Sequence, residues 1–183
     1  KEYRRQRQMC IRDSLYGYEA GGNGPESGRH AIRFAPGTGE LGMFQGAKSY
    51  LLENPEGQTL DTYSISAGLD YASVGPEHAW LKDIGRVNYS WATNQEAMSA
   101  FKDLCETEGI IPAIESSHAV AGAYKAAADL KAKGYEHPVM IINISGRGDK
   151  DMNTAGKWFG YLTDEQAKAL ESNGAQGNNA DGE

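Results

Sequence analysis

The sequence has few cysteines and no long apolar run, and both absences narrow the kind of protein it can encode. Two cysteines in 183 residues cannot build the disulfide framework of a small secreted domain. No stretch approaches the roughly 18 apolar residues of a membrane span. No apolar segment stands near the N-terminus as it does in a secretory signal. We therefore expect a reduced, cytoplasmic protein with no membrane partner.

The chain also lacks an excess of basic residues. Its 18 Lys and Arg stand against 25 Asp and Glu, which leaves a formal net charge of -7. An acidic chain without a basic patch is poorly suited to a phosphate backbone, so we expect no nucleic-acid partner. The histidines are scattered, and no spacing of Cys, His and carboxylates indicates a metal site formed by side chains. The length suffices for one domain with a sizeable core.

The first fourteen residues differ from the rest of the chain. Arg4 to Ser14 spell RRQRQMCIRDS, which resembles the in-frame translation of a common sequencing adapter. We interpret residues 1–14 as an unstructured artefact and leave them out of fold reasoning. The alternative is a basic arm that binds nucleic acid. Removing residues 1–14 removes five basic and two acidic residues and leaves a net charge of -10, and the natural sequence is expected to begin near Leu15.

Hydrophobic patterning over residues 15–160 predicts an α/β fold with a largely parallel sheet and flanking helices. Thr93 and Glu96 form a potential capping box, and Gly109 suits the end of the helix that follows. The predicted elements are a strand at 15–19, a helix at 77–83 opened by Pro76, a strand at 87–91, the helix after Thr93, a strand at 110–114, a helix from Ser116 or Ser117 to Gly134, and a fully buried strand at 139–144. Residues 24–48 give no periodic signal, and residues 161–183 are predicted to be a disordered acidic tail.

Two segments follow predicted strands at the sheet edge where open α/β folds bind ligands. Glu115 begins the segment ESSH after 110–114, and Ser145 begins the segment SGRGDKD after 139–144. Each also has a structural interpretation: Glu115 as an acid that a helix N-terminus stabilises, and Ser145 as a turn residue. The glycine-rich segment can wrap a phosphate, although it matches neither the Walker pattern nor GxGxxG.

Three segments taken together resemble the tryptophan synthase beta chain family. They are YSISAGLDY at 63–71 with SVGPEHA at 73–79, EGIIPAIESSHA at 108–119, and SGRGDKD at 145–151. They follow the family's order and spacing, and the resemblance runs from about Leu15 to about Met152. It implies that residues 15–160 form the C-terminal part of a pyridoxal-phosphate-dependent domain of fold type II.

The resemblance also implies an activity and partners. The family condenses L-serine with indole to L-tryptophan by a pyridoxal-phosphate-dependent β-replacement, in which the protein tunes the cofactor. By resemblance, Ser145 hydrogen-bonds the pyridine nitrogen, Gly146 adjoins it, and Glu115 lies beside the cofactor ring. The implied protein partners are a tryptophan synthase alpha chain and a second beta chain.

Further residues carry over from the family by position. Asp70 resembles the aspartate that pairs with an arginine of a mobile subdomain when the site closes over serine. Phe44 and Gln45 fall where the family lines its indole tunnel, although the family often has a larger aromatic residue at Gln45. The backbone carbonyls of Tyr71 and Ser73 correspond to groups that hold a monovalent cation, Na⁺ or K⁺.

Some of the family's catalytic features have no counterpart in this sequence. The Schiff-base lysine, the catalytic glutamate and the glycine-rich phosphate loop are missing, and neither Lys48 nor Lys150 sits in the lysine's context. We therefore expect a fragment that is inactive alone. Two alternatives stay open: a non-catalytic α/β module that grips a phosphorylated ligand at 145–150, and a self-contained interaction domain with an acidic tail.

Overall fold

The computed structural model describes residues 14–177, with only the backbone described for 171–177. Apart from Ser14, the stretch interpreted as an adapter lies outside the described residues. The elements in chain order are β1 (Leu15–Ala20), β2 (Glu40–Phe44), β3 (Ala47–Leu51), α1 (Pro76–Asp83), β4 (Val87–Ala92), α2 (Asn94–Glu108), α3 (Ile114–Ala132), α4 (Met152–Trp158) and α5 (Asp164–Gly177).

The parallel sheet expected from the sequence is formed by β1 and β4, with Leu15 opposite Val87 and Ala20 opposite Ala92. Helix α3 packs on both strands and on α2. Gly122 of α3 permits the close approach to β1, since a Cβ there would lie 2.2 Å from the Tyr18 ring. The fold is therefore mixed α/β with a helix layer on the parallel strand pair, as predicted.

A hairpin stands where the sequence gave no periodic signal. Strands β2 and β3 pair antiparallel, and Gln45 and Gly46 join them with φ values of 48° and 80°. Two consecutive positive φ angles are typical of the tight turns whose twist matches a hairpin. Both strands have only five residues, and β2 has no buried residue, which explains why no clear alternation of apolar and polar residues marked them.

Local helix signals are confirmed. Glu96 donates its backbone N–H to Thr93 Oγ1 at 3.3 Å, and its carboxylate accepts the Thr93 N–H at 2.8 Å, so the capping box is formed. Gly109 ends α2 in a left-handed conformation with φ 66°. Pro76 opens α1, as predicted.

The predicted strand at 110–114 is not formed. Ile114 is instead the first residue of α3, and Ala113, rather than Ser116 or Ser117, is its N-cap. The Asp151 carboxylate accepts the Ile114 N–H at 2.9 Å and so caps the helix from a distant part of the chain. Ile110 and Ile111 remain about half exposed.

The predicted buried strand at 139–144 is also not formed. Val139 and Ile141 are 94% and 97% exposed, and the segment forms no strand. A strand needs a hydrogen-bonding neighbour, and β1 and β4 pair only with each other among the described strands. Of this segment, Ile144 packs against the core.

Part of the segment at 161–183, which the sequence predicts to be a disordered tail, is helical, and residues 178–183 lie outside the described part of the chain. Helix α5 spans Asp164–Gly177. Thr163 and Gln166 exchange capping bonds at its start, at 2.9 and 3.2 Å, and Ala167 is fully buried. Thr163 and Gln166 have the three-residue spacing of a capping box. The acidic, glycine-rich composition of the segment nevertheless favoured a prediction of disorder.

The core lies between α2, α3 and their neighbours. One cluster joins β4 to the two helices through Ala92, Ala100, Val120 and Ala121. The other joins α2, the start of α3 and α4 through Met98, Phe101, Ile114 and Ala155. Within the described residues, no helix is both long and apolar enough to cross a membrane.

Candidate functional site

The first turn of α3 brings together the segments that sequence analysis singled out. Ser116 donates its hydroxyl hydrogen to the backbone carbonyl of Ser145. Gly146, with φ 75°, lies against Ala113, the N-cap of the same helix. Gly148 donates its N–H to the Ile111 carbonyl at 3.1 Å. The loop that contains Ser145 is therefore fastened to the start of α3, although neither predicted strand forms.

Glu115 lies at the centre of this group, with 26% of its side chain exposed. Its Oε1 accepts the Gly68 N–H at 3.0 Å, and its Oε2 accepts a hydrogen from Lys150 Nζ at 2.9 Å. Burial by itself raises the pKa of Glu115, but hydrogen bonds from Lys150 and from backbone N–H groups outweigh burial and lower the pKa to about 2. Glu115 is thus a carboxylate throughout the physiological range.

Lys150 is shared between two carboxylates. Its Nζ lies 2.8 Å from Asp151 Oδ1 as well as 2.9 Å from Glu115 Oε2. Slight burial lowers the pKa of Lys150, but Asp151 and Glu115 raise it above its usual value. Because Asp151 also caps α3 at Ile114, Lys150 ties the loop, the cap and Glu115 into one charged network.

The loop at 66–71 links Glu115 to the hairpin. Gly68 fits because it has no side chain: a Cβ there would lie 2.6 Å from Glu115 Oε1. At the other end of the loop, the Tyr71 ring packs edge-on against the Phe44 ring with centroids 5.6 Å apart. Gln45 is exposed at the turn that follows Phe44. The loop at 66–71 therefore links Glu115, which is predicted to lie beside the cofactor ring, to Phe44, which is predicted to line the indole tunnel.

Asp70 is exposed on this loop. Among residues whose side chains are described, none forms an ion pair with it. An exposed, unpaired carboxylate is available to a cation that approaches from outside the described part of the chain.

A buried ion pair that was not predicted from the sequence lies behind the loop. Arg33 and Glu19 are 7% and 5% exposed, and Arg33 Nε lies 2.8 Å from Glu19 Oε1. Arg33 also donates from Nη1 to the Tyr71 carbonyl. Nothing in the sequence marks two residues of opposite charge fourteen positions apart as partners, so only the folded chain identifies them.

His118 is a structural residue of α3. Its Nδ1 lies 2.9 Å from the Ile114 carbonyl, which requires the proton on that nitrogen. Burial lowers its pKa below the usual value, so the ring is neutral. Its Nε2 has no hydrogen-bond partner among the described residues, and the same holds for Asn94 Nδ2.

An apolar groove lies away from these residues. It opens between α2, α4 and α5 and has a volume of about 680 Å³, with Phe101, Cys105, Ile111, Met152, Phe159 and Leu162 among its lining residues. None of the predicted site residues lines it. The groove is therefore not part of the candidate site at the start of α3.

The chain is similar in sequence to several known proteins. No family model matches it. It is 58% identical over 148 residues to the tryptophan synthase beta chain of Mycobacterium tuberculosis strain H37Rv, 56% over 149 residues to that of Mycobacterium leprae, and 50% over 146 residues to that of Bordetella parapertussis. These matches cover 80–81% of this chain but only 34–35% of the relatives. The chain therefore belongs to the family of tryptophan synthase beta chains, whose members it matches over about a third of their length.

Proposed function

We propose that this chain carries part of the active site of a pyridoxal-phosphate-dependent enzyme that joins L-serine to indole. The observation that carries the proposal is the assembly of three family segments around the first turn of α3, through Ser116 to Ser145 and Glu115 to Gly68. A tryptophan synthase alpha chain and a second beta chain are the proposed protein partners. The similarity of the chain to tryptophan synthase beta chains supports this assignment.

The residues at the start of α3 fit the ring end of the cofactor. Ser145 is exposed and offers a hydroxyl, which can hydrogen-bond a pyridine nitrogen without forcing its protonation. Gly68 and Gly148 let the two loops pack closely on the start of α3, since a Cβ on Gly68 would lie 2.6 Å from Glu115 Oε1 and a Cβ on Gly148 would lie 2.2 Å from the Pro112 carbonyl oxygen. When bound, pyridoxal phosphate supplies an electron sink for chemistry at the serine β-carbon.

Glu115 orients this site rather than exchanging protons in it. A carboxyl with a pKa of about 2 is a weak base at neutral pH and carries no proton to donate. Its two oxygens are held by Gly68 and Lys150. Glu115 therefore fixes the distance between the loop at 66–71 and the start of α3, and it places a permanent negative charge beside the ring position.

The loop at 66–71 and the hairpin form the substrate side of the proposed site. Asp70 is free to pair with an arginine when the site closes over serine, which would exclude water from the reaction. Phe44, packed on Tyr71, and Gln45 form a wall of the proposed indole path. Gln45 contributes a polar amide to this wall, whereas the family often has an aromatic side chain at this position.

The alternative of a stand-alone phosphate-binding module has less support. A phosphate needs free N–H groups or cations, but the Gly148 N–H is used by the Ile111 carbonyl. Lys150 is neutralised by two carboxylates, and Arg147 is paired with Asp149 at 3.0 Å. The loop is therefore closed to an anion at these groups.

We also propose that the 183-residue chain does not turn over serine by itself. A lysine that joins to an aldehyde must attack as a neutral amine. Lys150, the lysine of the candidate site, is held as an ammonium ion by Glu115 and Asp151. The test mixes the purified chain with pyridoxal phosphate, serine and indole. We expect no tryptophan above the level given by the free cofactor, and turnover above that level would contradict the proposal.

The role of the segment is tested in a chimera. The matched 148 residues replace the corresponding part of the Mycobacterium tuberculosis relative, which is 58% identical there. We expect the chimera to make tryptophan. Ser145→Ala should slow it by roughly 2- to 10-fold, the loss of one neutral hydrogen bond, and Ser145→Asp should change the cofactor absorption spectrum. Ser99→Ala, at an exposed position of α2, is the control. Unchanged rate and spectrum in both Ser145 variants would remove Ser145 from the site.

A further inference from the structure

We propose that the Arg33 guanidinium is a built-in cation that replaces a bound monovalent metal ion at the Tyr71 carbonyl. The family resemblance assigns the carbonyls of Tyr71 and Ser73 to a Na⁺ or K⁺ site, and the contact between Arg33 and the Tyr71 carbonyl argues against that assignment at Tyr71. The inference rests on the family assignment but not on the β-replacement chemistry, so the two can fail separately.

The first argument is the contact itself. Arg33 donates from Nη1 to the Tyr71 carbonyl oxygen, the atom that the resemblance offers to a metal ion. A carbonyl has two lone pairs, so one hydrogen bond does not fill it. What excludes a second cation is charge, because a metal ion on the same oxygen would lie only a few ångströms from a guanidinium that has little water around it.

The second argument is how firmly the guanidinium is held. Arg33 is 7% exposed and is paired with Glu19 through Nε. Glu19 also accepts the backbone N–H groups of Arg33 and Phe34, at 3.0 and 2.9 Å. Arg33 cannot swing away to admit a metal ion without leaving the buried Glu19 carboxylate unpaired, which is costly.

The third argument is what the positive charge does there. The Tyr71 carbonyl belongs to the loop that carries Asp70 and Gly68, and the opposite end of that loop is held by Glu115. A bound metal ion would anchor the loop through its carbonyls. Arg33 anchors the same carbonyl to β1 through Glu19, without an ion from solution.

The wild-type chain gives the first test. Its melting temperature is measured in sodium, potassium, caesium and tetramethylammonium chloride at one ionic strength, and the ²³Na NMR line width is followed as protein is added. An ion that binds only the folded chain raises its melting temperature. We expect equal melting temperatures in all four salts and no broadening that potassium reverses. A melting temperature at least about 3 °C higher in one alkali salt, or reversible broadening, would overturn the proposal.

The second test removes the charge. Arg33→Met keeps a long apolar side chain, Arg33→Lys keeps the charge, and Arg29→Met, at an exposed arginine over the Tyr63 ring, is the matched control. We expect Arg33→Met alone to melt at least about 3 °C higher in potassium or caesium than in tetramethylammonium. A variant that folds only in an alkali salt supports the proposal equally. If Arg33→Met ignores the salt or stays unfolded in all of them, Arg33 does not stand in for an ion.

Discussion

Glu115 and Gly68 form a contact in which the absence of a side chain is essential. Glu115 Oε1 accepts the Gly68 N–H at 3.0 Å, and a Cβ on Gly68 would lie 2.6 Å from the same oxygen. The contact joins residues 47 positions apart and fixes the loop that carries Asp70 against the start of α3. The charge on Glu115 is therefore part of the architecture of the candidate site.

Lys150→Met should raise the pKa of Glu115 from about 2 toward its ordinary value of 4.5. The substitution removes the hydrogen-bonded ammonium group while keeping the length of the side chain, so burial is less well opposed. The measurement is a ¹³C NMR titration of the Glu115 carboxyl carbon. Lys157→Met, which disturbs an exposed lysine 3.6 Å from Asp164, should leave that titration unchanged. An unchanged midpoint in Lys150→Met would show that Lys150 does not hold the carboxylate.

The depressed pKa of Glu115 also predicts how stability changes in acid. A carboxyl whose pKa is lower in the folded state contributes stability above its unfolded value of 4.5, and that contribution is lost as the pH falls toward about 2. Glu115→Gln should therefore cost roughly 1–2 kcal/mol at pH 7, because a charged hydrogen bond is worth about 1.5–3 kcal/mol and solvent screens part of it.

The measurement for this variant is urea unfolding at several pH values. The difference between wild type and Glu115→Gln should shrink as the pH falls from 5 to 2. Glu106→Gln, at an exposed residue of α2 paired with Lys102 at 3.7 Å, serves as the control. A difference that stays constant over this range would mean that the charge on Glu115 contributes nothing to folding.

Ile141 and Ile114 should respond differently to the same truncation. Ile141 is 97% exposed and Ile114 is 1% exposed. Ile114→Ala should cost about 2–5 kcal/mol, as expected for a buried aliphatic side chain, whereas Ile141→Ala should stay within about 0.5 kcal/mol of wild type. Chemical denaturation measures both. A loss above roughly 2 kcal/mol at Ile141 would restore the buried strand that the sequence predicts at 139–144.

Thr93→Ala should destabilise the chain by about 1 kcal/mol, the usual cost of losing a helix N-cap. The threonine hydroxyl accepts the Glu96 N–H at 3.3 Å and also lies 3.0 Å from the Glu96 carboxylate. Thr107→Ala is the matched control, because Thr107 bonds back to the Asp103 carbonyl within the same helix, an arrangement that adds little. Urea unfolding of both variants decides the prediction, which fails if Thr107→Ala costs as much as Thr93→Ala.

The sequence by itself determined the features that depend on neighbouring residues. The capping box joins Thr93 to a residue three positions away, and Pro76 acts through its own fixed φ, so both helix starts were predictable. The family resemblance also needed only the order of the residues in three segments. It placed Ser145, Glu115 and Asp70 in one candidate site, and the structure joins their segments through Ser116 and Gly68.

Only the tertiary structure decided which apolar segments are covered. The runs at 110–114 and 139–144 have the composition of buried strands, but a strand forms only where another strand offers its hydrogen-bonding edge. Tertiary structure also paired Glu19 with Arg33 and Lys150 with Glu115. These contacts set the charge of the site, and they arise because folding brings together groups 14 and 35 residues apart, a distance over which local sequence patterns carry no information.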